Sequence, residues 1–211
     1  MRGKRKTMTR HIRAFIAVSA MFAATSLSTA VYAFDWYGGA SVGKNSYEVT
    51  PGDFFDTQPF SGVTDGNDGA WKAFVGMQLF EKYVSAEFGY SYLGKSSVEG
   101  TTSGAAVTGN SKTTAFTAAL VGLIPIGTKF GALIKLGLDR PRSEITTTEA
   151  GVSSTQTTTN IQIFGGLGAQ FDFSKTLSAR LEYERYDLGS VGPKYANVLS
   201  VGFTYLFDAK K

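Results

Sequence analysis

The chain lacks cysteine altogether and has a single histidine, His11, among its 211 residues. Without cysteine it has no disulfide scaffold, no thiol nucleophile and no thiolate metal site. A mature chain that also loses His11 could form neither a Ser-His-Asp triad nor a histidine-ligated metal centre. We therefore expect a protein that is not an enzyme, with no catalytic residue, no metal and no cofactor.

Charged residues are also scarce, at 18% of the sequence, and the basic ones are unevenly placed. Six of the 21 basic residues and none of the 17 acidic ones lie in residues 1–33, so residues 34–211 carry a formal charge of −2. The overall charge of +4 belongs to the leader alone. We therefore expect no nucleic-acid partner, because such partners require a basic surface on the folded domain.

The first 33 residues have the features of a cleaved secretory signal peptide. Basic residues up to Arg13 precede an apolar stretch, residues 14–24, which is shorter than the ~20 residues that a transmembrane helix needs. Small residues up to Ala33 then provide a cleavage site, which leaves residues 34–211 as the mature domain. An uncleaved membrane anchor is the alternative, and Met8 is an alternative start.

After the leader, no stretch of ten or more residues keeps a helical period, and apolar residues instead alternate with polar ones. Seven segments alternate clearly. Residues 113–123 add an eighth, whose two faces cannot be assigned because both carry apolar residues. The alternation predicts an all-β protein with eight strands.

The connections between these segments alternate in length. Short ones fall near Lys82, Gly127 and Lys175, whereas the others are longer, at residues 45–69, 96–111, 143–159 and 189–194. The Thr/Ser-rich residues 146–159 are expected to form a mobile, solvated loop. Short turns at one end and long loops at the other predict an antiparallel up-and-down barrel of the kind found in bacterial outer membranes.

The polar faces indicate that this barrel directs its apolar side chains toward lipid. They are rich in glycine, which weakens a strand unless space is needed, and inside an eight-stranded barrel small residues make room for large polar ones. The glycines concerned are Gly76, Gly89, Gly137, Gly166, Gly168 and Gly202. Aromatic residues near strand ends, as interfacial girdles require, are Trp36, Trp71, Tyr90, Tyr92, Tyr183, Tyr205 and Phe207.

Several segments resemble the transmembrane domain of the outer membrane protein A (OmpA)-like family. Residues 78–95 resemble its second and third strands, residues 179–183 its seventh and residues 36–40 its first. The family's last-strand signal, which the outer-membrane assembly machinery recognises, is similar to the pattern formed here by Ser200, Gly202, Tyr205 and Phe207. The resemblance implies an eight-stranded antiparallel up-and-down transmembrane β-barrel over residues 34–211. The sequence ends four residues after Phe207, so we expect no counterpart of the family's C-terminal peptidoglycan-binding domain.

The resemblance also implies ion pairs that fill the barrel interior. The implied inward positions are Glu87, Lys135, Arg180 and Glu182, with Lys72 and Asp139 completing a nearly neutral set. Gln170 stands where the family usually has an acid, and Leu120 is expected to replace an inward basic residue. We expect Arg180 to pair with Glu87, Glu182 or both, because a guanidinium can bind a carboxylate at two points. Whether such charges only fill the interior or act as a gate stays open.

Three further motifs have ordinary structural interpretations. Residues 39–43 match the G-x-S-x-G nucleophile elbow and residues 89–96 match a phosphate-binding loop, but neither is followed by a helix. The acidic residues 65–69 miss the register of a calcium-binding loop and fit turn chemistry equally well. We expect strands at the first two places and a turn at the third.

The sequence and the resemblance together predict a non-enzymatic outer-membrane barrel of a Gram-negative bacterium. The expected role is structural, adhesive or host-interacting through the long loops, with a small gated pore or a soluble periplasmic lipocalin-like carrier as alternatives. An outer-membrane enzyme is disfavoured by the missing histidine. The expected partners are outer-membrane lipid and lipopolysaccharide, the assembly machinery, and an extracellular or host-surface ligand.

Overall fold

The structure is a computed structural model that describes residues 35–55, 60–80, 82–102, 105–149, 151–189 and 193–207. The predicted signal peptide therefore lies outside the described residues. The strands are β1 Trp36–Tyr47, β2 Phe60–Asp65, β3 Asn67–Phe80, β4 Val84–Thr102, β5 Ala105–Ile126, β6 Phe130–Glu149, β7 Val152–Thr159, β8 Gln162–Asp172, β9 Leu177–Asp187 and β10 Tyr195–Leu206. A single turn of 3-10 helix, Pro51–Asp53, follows β1.

Eight of these strands close into an antiparallel barrel in the order β1-β3-β4-β5-β6-β8-β9-β10. Closure is made by β10 against β1, from Tyr37 opposite Leu206 to Tyr47 opposite Ala196. A closed sheet pairs the backbone groups of every strand, which is the condition for a sheet to exist in hydrocarbon. The predicted eight-stranded up-and-down barrel is confirmed.

The barrel has apolar side chains on its outer face and charged side chains on its inner face, which is the reverse of a water-soluble protein. Large apolar side chains point outward and are exposed, for example Phe88, Leu136 and Phe203. Charged side chains point inward and are buried, for example Glu87 and Lys135, at 4% and 5% exposure. Because apolar surface gains nothing from exposure to water, this arrangement fits a barrel surrounded by lipid.

The expectation that Leu120 occupies an inward position is wrong. This side chain points outward and is 57% exposed, with Ala86 and Leu136 as its neighbours on the adjacent strands. The inward positions of β5 beside it are Ala119 and Val121, which are themselves apolar. Alternation carries no information about direction where both faces of a strand are apolar, and only pairing with β4 and β6 sets the face.

Three strands continue far beyond the length needed to cross a membrane. β4, β5 and β6 have 19, 22 and 20 residues, against roughly 9–11 for a spanning strand. Their distal halves pair with β2 on one side and β7 on the other, giving the order β2-β4-β5-β6-β7. We call this five-stranded projection the long-loop sheet, its end of the barrel the long-loop end, and the opposite end the short-turn end.

The expectation of a loop at residues 146–159 is therefore wrong, although β7 is largely exposed to solvent as expected. Most of this segment forms the end of β6 and all of β7, joined by a turn at Gly151 with φ of 84°. Threonine is β-branched and favours strands, and hydroxyl pairs add support across them. Two such pairs are Thr146 with Thr155 at 3.1 Å and Thr148 with Ser153 at 2.8 Å.

A bulge in β4 marks the point where the strand leaves the apolar band. The register shifts between Tyr92 and Gly94. Gly94 has a φ of 92°, a backbone conformation that residues other than glycine rarely adopt. The Leu93 carbonyl accepts hydrogen bonds from Asn45 Nδ2 and from the Tyr47 hydroxyl, the latter at 3.0 Å. Burial raises the pKa of Tyr47 above its ordinary value.

The segment after β1 covers the inner face of the long-loop sheet. Phe55, at 3% exposure, packs with Val98 and Val107, which are 0% and 3% exposed. Phe54 lies over Gly109, where an added Cβ would come within 2.5 Å of the Phe54 ring. This small apolar core gives the projecting sheet its own packing, and Val49 connects it to the apolar cluster of the barrel interior.

Candidate functional site

The barrel interior contains a compact group of six charged side chains, which we call the plug. Its three cations and three carboxylates come from the inward faces of β3, β4, β6 and β9, and their formal charges cancel. The members are Lys72, Lys135, Arg180, Glu87, Glu182 and Glu184. All six side chains are at most 8% exposed.

Lys135 is the most connected member of the plug. Its Nζ lies 2.9 Å from Glu87, 2.8 Å from Glu182 and 3.1 Å from Glu184. Lys72 shares the last two partners, at 2.9 Å from Glu182 and 2.8 Å from Glu184. Each glutamate of β9 is therefore held by two lysines, which offsets part of the desolvation free energy of a buried carboxylate.

Arg180 lies at the short-turn side of the plug. Its Nη1 donates to Glu87 Oε1 at 2.5 Å and its Nε donates to Gln170 Oε1 at 2.9 Å. The ion pairs of Glu182 are made with the two lysines instead of Arg180. Gln170, expected where the family has an acid, thus serves as a neutral acceptor for the guanidinium.

Neutral hydroxyl groups complete the bonding of the carboxylates. The Tyr37 hydroxyl donates to Glu87 at 2.9 Å and lies 2.8 Å from the Ser85 hydroxyl. The Tyr186 hydroxyl donates to Glu184 at 3.1 Å. Charged groups in a low-dielectric interior are stable only when their remaining lone pairs also find donors, and these tyrosines supply them.

The ring of Phe74 lies among the cations. The charged groups of Lys72, Lys135 and Arg180 are 5.3, 5.7 and 5.7 Å from its centroid. Arg180 also lies 5.2 Å from the Tyr37 centroid. Cations at such distances interact favourably with the face of an aromatic ring. Phe74 therefore belongs to the site, although an apolar residue on an inward position gives no sequence signal of such a role.

Glycines of β8 provide the space for the glutamates of β9. An added Cβ at Gly166 would lie 2.9 Å from Glu184 Cγ, and one at Gly168 would lie 3.2 Å from Glu182 Cγ. The first distance is shorter than carbon atoms tolerate. The expectation that inward glycines make room for large polar side chains is confirmed at these positions.

The structure brings together Glu87, Lys135, Arg180 and Glu182, the four positions implied by the resemblance. Sequence reasoning missed Glu184, which follows Arg180 and Glu182 at the same period of two and was available from that signal. Asp139 does not join them. It is 1% exposed, and neither carboxylate oxygen has a hydrogen-bond partner among the described residues.

The four residues of the last-strand pattern divide between the two faces of β10. Ser200 and Gly202 point inward, whereas Tyr205 and Phe207 point outward and are 51% and 62% exposed. The Phe207 amide donates to the Trp36 carbonyl at 2.8 Å, so the pattern ends where β10 meets β1.

The acidic residues after β2 act as turn residues. Asp65 Oδ1 accepts from the Asn67 amide at 3.0 Å, and the two oxygens of Asp68 accept from the amides of Gly69 and Lys95. Within the described ranges, no group of three or more histidine, cysteine, aspartate or glutamate side chains is placed to hold a metal ion. No helix in this part of the chain is long and apolar enough to cross a membrane.

The fold is shared with solved outer-membrane proteins of low sequence identity. Neisserial surface protein A is 13% identical with a TM-score of 0.52, and covers 82% of this chain and 97% of its own. OprG of Pseudomonas aeruginosa is 16% identical with a TM-score of 0.53, over 83% and 96%. Ail, the attachment invasion locus protein of Yersinia pestis, is 14% identical with a TM-score of 0.50, over 82% and 97%. At these identities the likeness concerns the fold alone.

No curated protein sequence matches the chain. The sequence model of the outer membrane protein beta-barrel domain, by contrast, matches residues 14–207, which is most of the chain. The closed barrel, its apolar exterior and its charged interior agree with that match. The chain therefore belongs to the outer membrane protein beta-barrel domain family.

Proposed function

We propose that this chain is a non-enzymatic barrel of a Gram-negative outer membrane whose long-loop sheet contacts partners outside the cell. Export would use residues 1–33 as a cleaved signal peptide, which also removes His11. The observation that carries the proposal is the long-loop sheet itself. Strands twice as long as a membrane requires project a wide, polar, hydrogen-bonded surface beyond the apolar band.

The charges just beyond the apolar band support an orientation in which the long-loop end faces outside the cell. Going toward the long-loop end, the first charged residue on the outward face is basic on each of five barrel strands. These residues are Lys44, Lys95, Lys112, Arg140 and Arg185, all exposed. We infer that they meet the phosphate groups of lipopolysaccharide, because cations at the membrane surface are attracted to anionic head groups.

The edge of the long-loop sheet supports a role in binding. Among the residues that the structure describes, β7 pairs with β6 alone, so its other edge presents backbone groups without a strand partner there, and nearly all of its side chains are exposed. Such edges can bind an extended segment of another protein. The Yersinia protein with the same fold is named for attachment and invasion. We propose an adhesive or host-surface ligand for this end.

Epitope tags test the orientation. A tag inserted at Gly151, in the turn between β6 and β7, is expected to bind antibody on intact cells. The same tag at Gly127, in a short turn with φ of 82°, is expected to bind only after the outer membrane is permeabilised. The opposite pattern would overturn the orientation, and equal labelling of both on intact cells would overturn the outer-membrane placement.

Shortening the hairpin tests adhesion. Removal of residues 146–156 deletes most of the β6–β7 hairpin, including the end of β6, and leaves the part of β6 that pairs with β8 in the barrel. Cells that produce this variant are expected to lose adhesion to host cells or extracellular matrix relative to cells with the full chain at equal surface abundance. Unchanged adhesion would refute the adhesive role while leaving the barrel and its orientation in place.

The plug supports a sealed barrel over an open pore. Next to Lys72, Ser91 and Glu184, the interior leaves a void of only about 10 Å³, about enough for one water molecule. In planar bilayers we expect no steady conductance from the wild-type protein. A stable open level with wild-type protein would favour the pore instead.

We propose that Ser200, Gly202, Tyr205 and Phe207 form the signal read by the outer-membrane assembly machinery. The outward position of the two aromatic residues on the closing strand supports this role. Phe207→Ser is expected to slow membrane insertion in cells but not spontaneous folding into detergent. Phe203→Ser, an outward aromatic on the same strand, is the control.

A further inference from the structure

At the short-turn end, the barrel interior opens into a cavity of about 430 Å³. Arg180 and Tyr37 of the barrel interior line it, at 8% and 4% exposure. Three short turns contribute Lys82, Lys129 and Lys175 to its rim. We call this cavity the basic vestibule. Its volume lies within the range of small-molecule sites, roughly 300–1,000 Å³.

The charge of the basic vestibule is unbalanced. Four cations line it, of which Arg180 is balanced by Glu87 in the plug, and Asp172 is the one acid among the described residues that line it. Asp172 is already engaged, since its Oδ1 accepts from Gln170 Nε2 at 2.8 Å and from the Ser178 hydroxyl at 2.7 Å. The three lysines form no ion pair within the described ranges. Neighbouring positive charges without counter-charges make this end of the interior attractive to an anion.

Asp35 adds one acid at the short-turn end, where its carbonyl accepts from the amide of the lining residue Gln78 at 3.0 Å. Glu81 precedes Lys82, and Asp208, Lys210 and Lys211 follow the last described residue. These four side chains lie outside the described ranges and carry two negative and two positive charges. The three rim lysines therefore remain in excess over Asp172 and Asp35, the described acids at this end.

The donors of the vestibule suit a group with several oxygens. A guanidinium has five N–H donors, and Gln170 and Glu87 take two of those of Arg180. Hydroxyl groups of Ser85 and Thr204 line the same space. Lysines on three separate turns approach a ligand from different sides, which suits a tetrahedral phosphate better than a planar carboxylate.

We propose that the basic vestibule binds a phosphate group, carried either by a small phosphorylated molecule or by the head group of an anionic lipid. Arg180 holds the phosphate from the plug side, and Lys82, Lys129 and Lys175 hold it from the rim. Leu123, Phe173 and Leu206, which also line the cavity, contact the carbon skeleton of the ligand. This inference does not depend on which end of the barrel faces the periplasm, because binding can be measured on the purified protein.

Titration calorimetry with glycerol 3-phosphate tests the proposal. The protein is kept in a maltoside detergent, because phosphocholine detergents carry the same chemical group. The test variant combines Lys82→Gln, Lys129→Gln and Lys175→Gln. The control combines Arg142→Gln and Lys194→Gln, which removes two exposed charges from the long-loop end at residues that belong neither to the plug nor to the cations assigned to lipopolysaccharide.

We expect saturable binding by the wild-type protein, weakened about tenfold or more in the vestibule variant and less than about twofold in the control. Glycerate, with a carboxylate in place of the phosphate, is expected to bind more weakly. No binding at about 10 mM glycerol 3-phosphate, equal losses in the vestibule variant and the control, or equal affinity for glycerate would overturn the proposal.

Nanodiscs distinguish the two sources of phosphate. If a lipid head group occupies the vestibule, discs containing phosphatidylglycerol abolish binding of glycerol 3-phosphate, whereas discs of phosphatidylcholine alone preserve it. If the ligand is a free phosphorylated molecule, binding is the same in both discs. Either result supports a phosphate site, and failure to bind in detergent and in both discs contradicts it.

Discussion

Lys135 of β6 and Glu87 of β4 meet inside the barrel, with 2.9 Å between Nζ and Oε2, although β5 separates their strands. The same ammonium group contacts Glu182 and Glu184 of β9. A single side chain thus joins strands from opposite sides of the interior. The balance of three cations and three carboxylates depends on it.

Lys135→Met should strongly destabilise the barrel. Methionine has a similar length but no charge, so three buried carboxylates would share Lys72 and Arg180 alone. Removing one partner of a buried ionic group typically costs about 3–5 kcal/mol in the free energy of unfolding. Urea unfolding in lipid vesicles, followed by tryptophan fluorescence, measures the change. Lys129→Met, at an exposed turn, should leave the midpoint unchanged; equal midpoints for both variants would contradict the plug.

Arg180→Lys should also destabilise the barrel although it preserves the charge. An ammonium group cannot make both the Nη1 contact to Glu87 and the Nε contact to Gln170 with the geometry of a guanidinium. Loss of one charge-assisted hydrogen bond corresponds to about 1.5–3 kcal/mol. The same urea titration measures it. Arg185→Lys, on the exposed face of β9, serves as control, and identical unfolding of all three proteins would refute a specific role for the guanidinium.

Asp139→Asn should stabilise the protein, whereas Asp172→Asn should destabilise it. Both are inward aspartates, but Asp139 has no partner for either oxygen among the described residues, while Asp172 accepts two hydrogen bonds. Burying an unpaired polar or charged group costs about 1–3 kcal/mol or more, so removal of the charge at Asp139 relieves a penalty. Shifts of the same sign in the two unfolding midpoints would contradict this assignment.

Gly166→Val should disrupt the plug through steric overlap. The new Cβ would lie 2.8 Å from the Tyr183 carbonyl oxygen and 2.9 Å from Glu184 Cγ. Overpacking of this kind costs about 1–3 kcal/mol. Gly165→Val, one residue earlier on the outward face, meets its nearest atom at 3.4 Å and should be tolerated. Heat-dependent migration of the folded protein on gels compares the two variants, and equal behaviour would argue against close packing at β8.

The parts of this structure that alternation controls were predictable from sequence. The resemblance implies inward positions for Glu87, Lys135 and Arg180, and period two agrees with it, because a residue's neighbours two positions away share its side of a strand. The same rule also predicts an inward position for Glu184, because it follows Glu182 by two residues. Alternation does not predict which charged side chains contact each other across the barrel. Which lysine meets which glutamate depends on strand register and barrel tilt, and neither leaves a trace in a single sequence.

Other features were not predictable from the sequence, or were predicted wrongly, for identifiable physical reasons. Leu120 was placed on the wrong face because β5 is apolar on both faces. The polar composition of residues 146–159 predicts a loop, but β-branched threonine favours strands when a partner strand is present. The sequence around Phe74 contains no signal that its ring lies among the three cations. Asp139 shows the reverse case, since an inward charge does not guarantee a partner.

The central claim is that the apolar exterior of the barrel lies in lipid, and quenching by brominated lipids tests it most directly. Trp36 and Trp71 point outward near opposite ends of the apolar band and are 45% and 46% exposed. In bilayers with bromine on the acyl chains, both tryptophans should be strongly quenched, and more by bromines near the head group than by bromines near the bilayer centre. Fluorescence that is unaffected by brominated lipid, from protein that remains folded, would contradict the account.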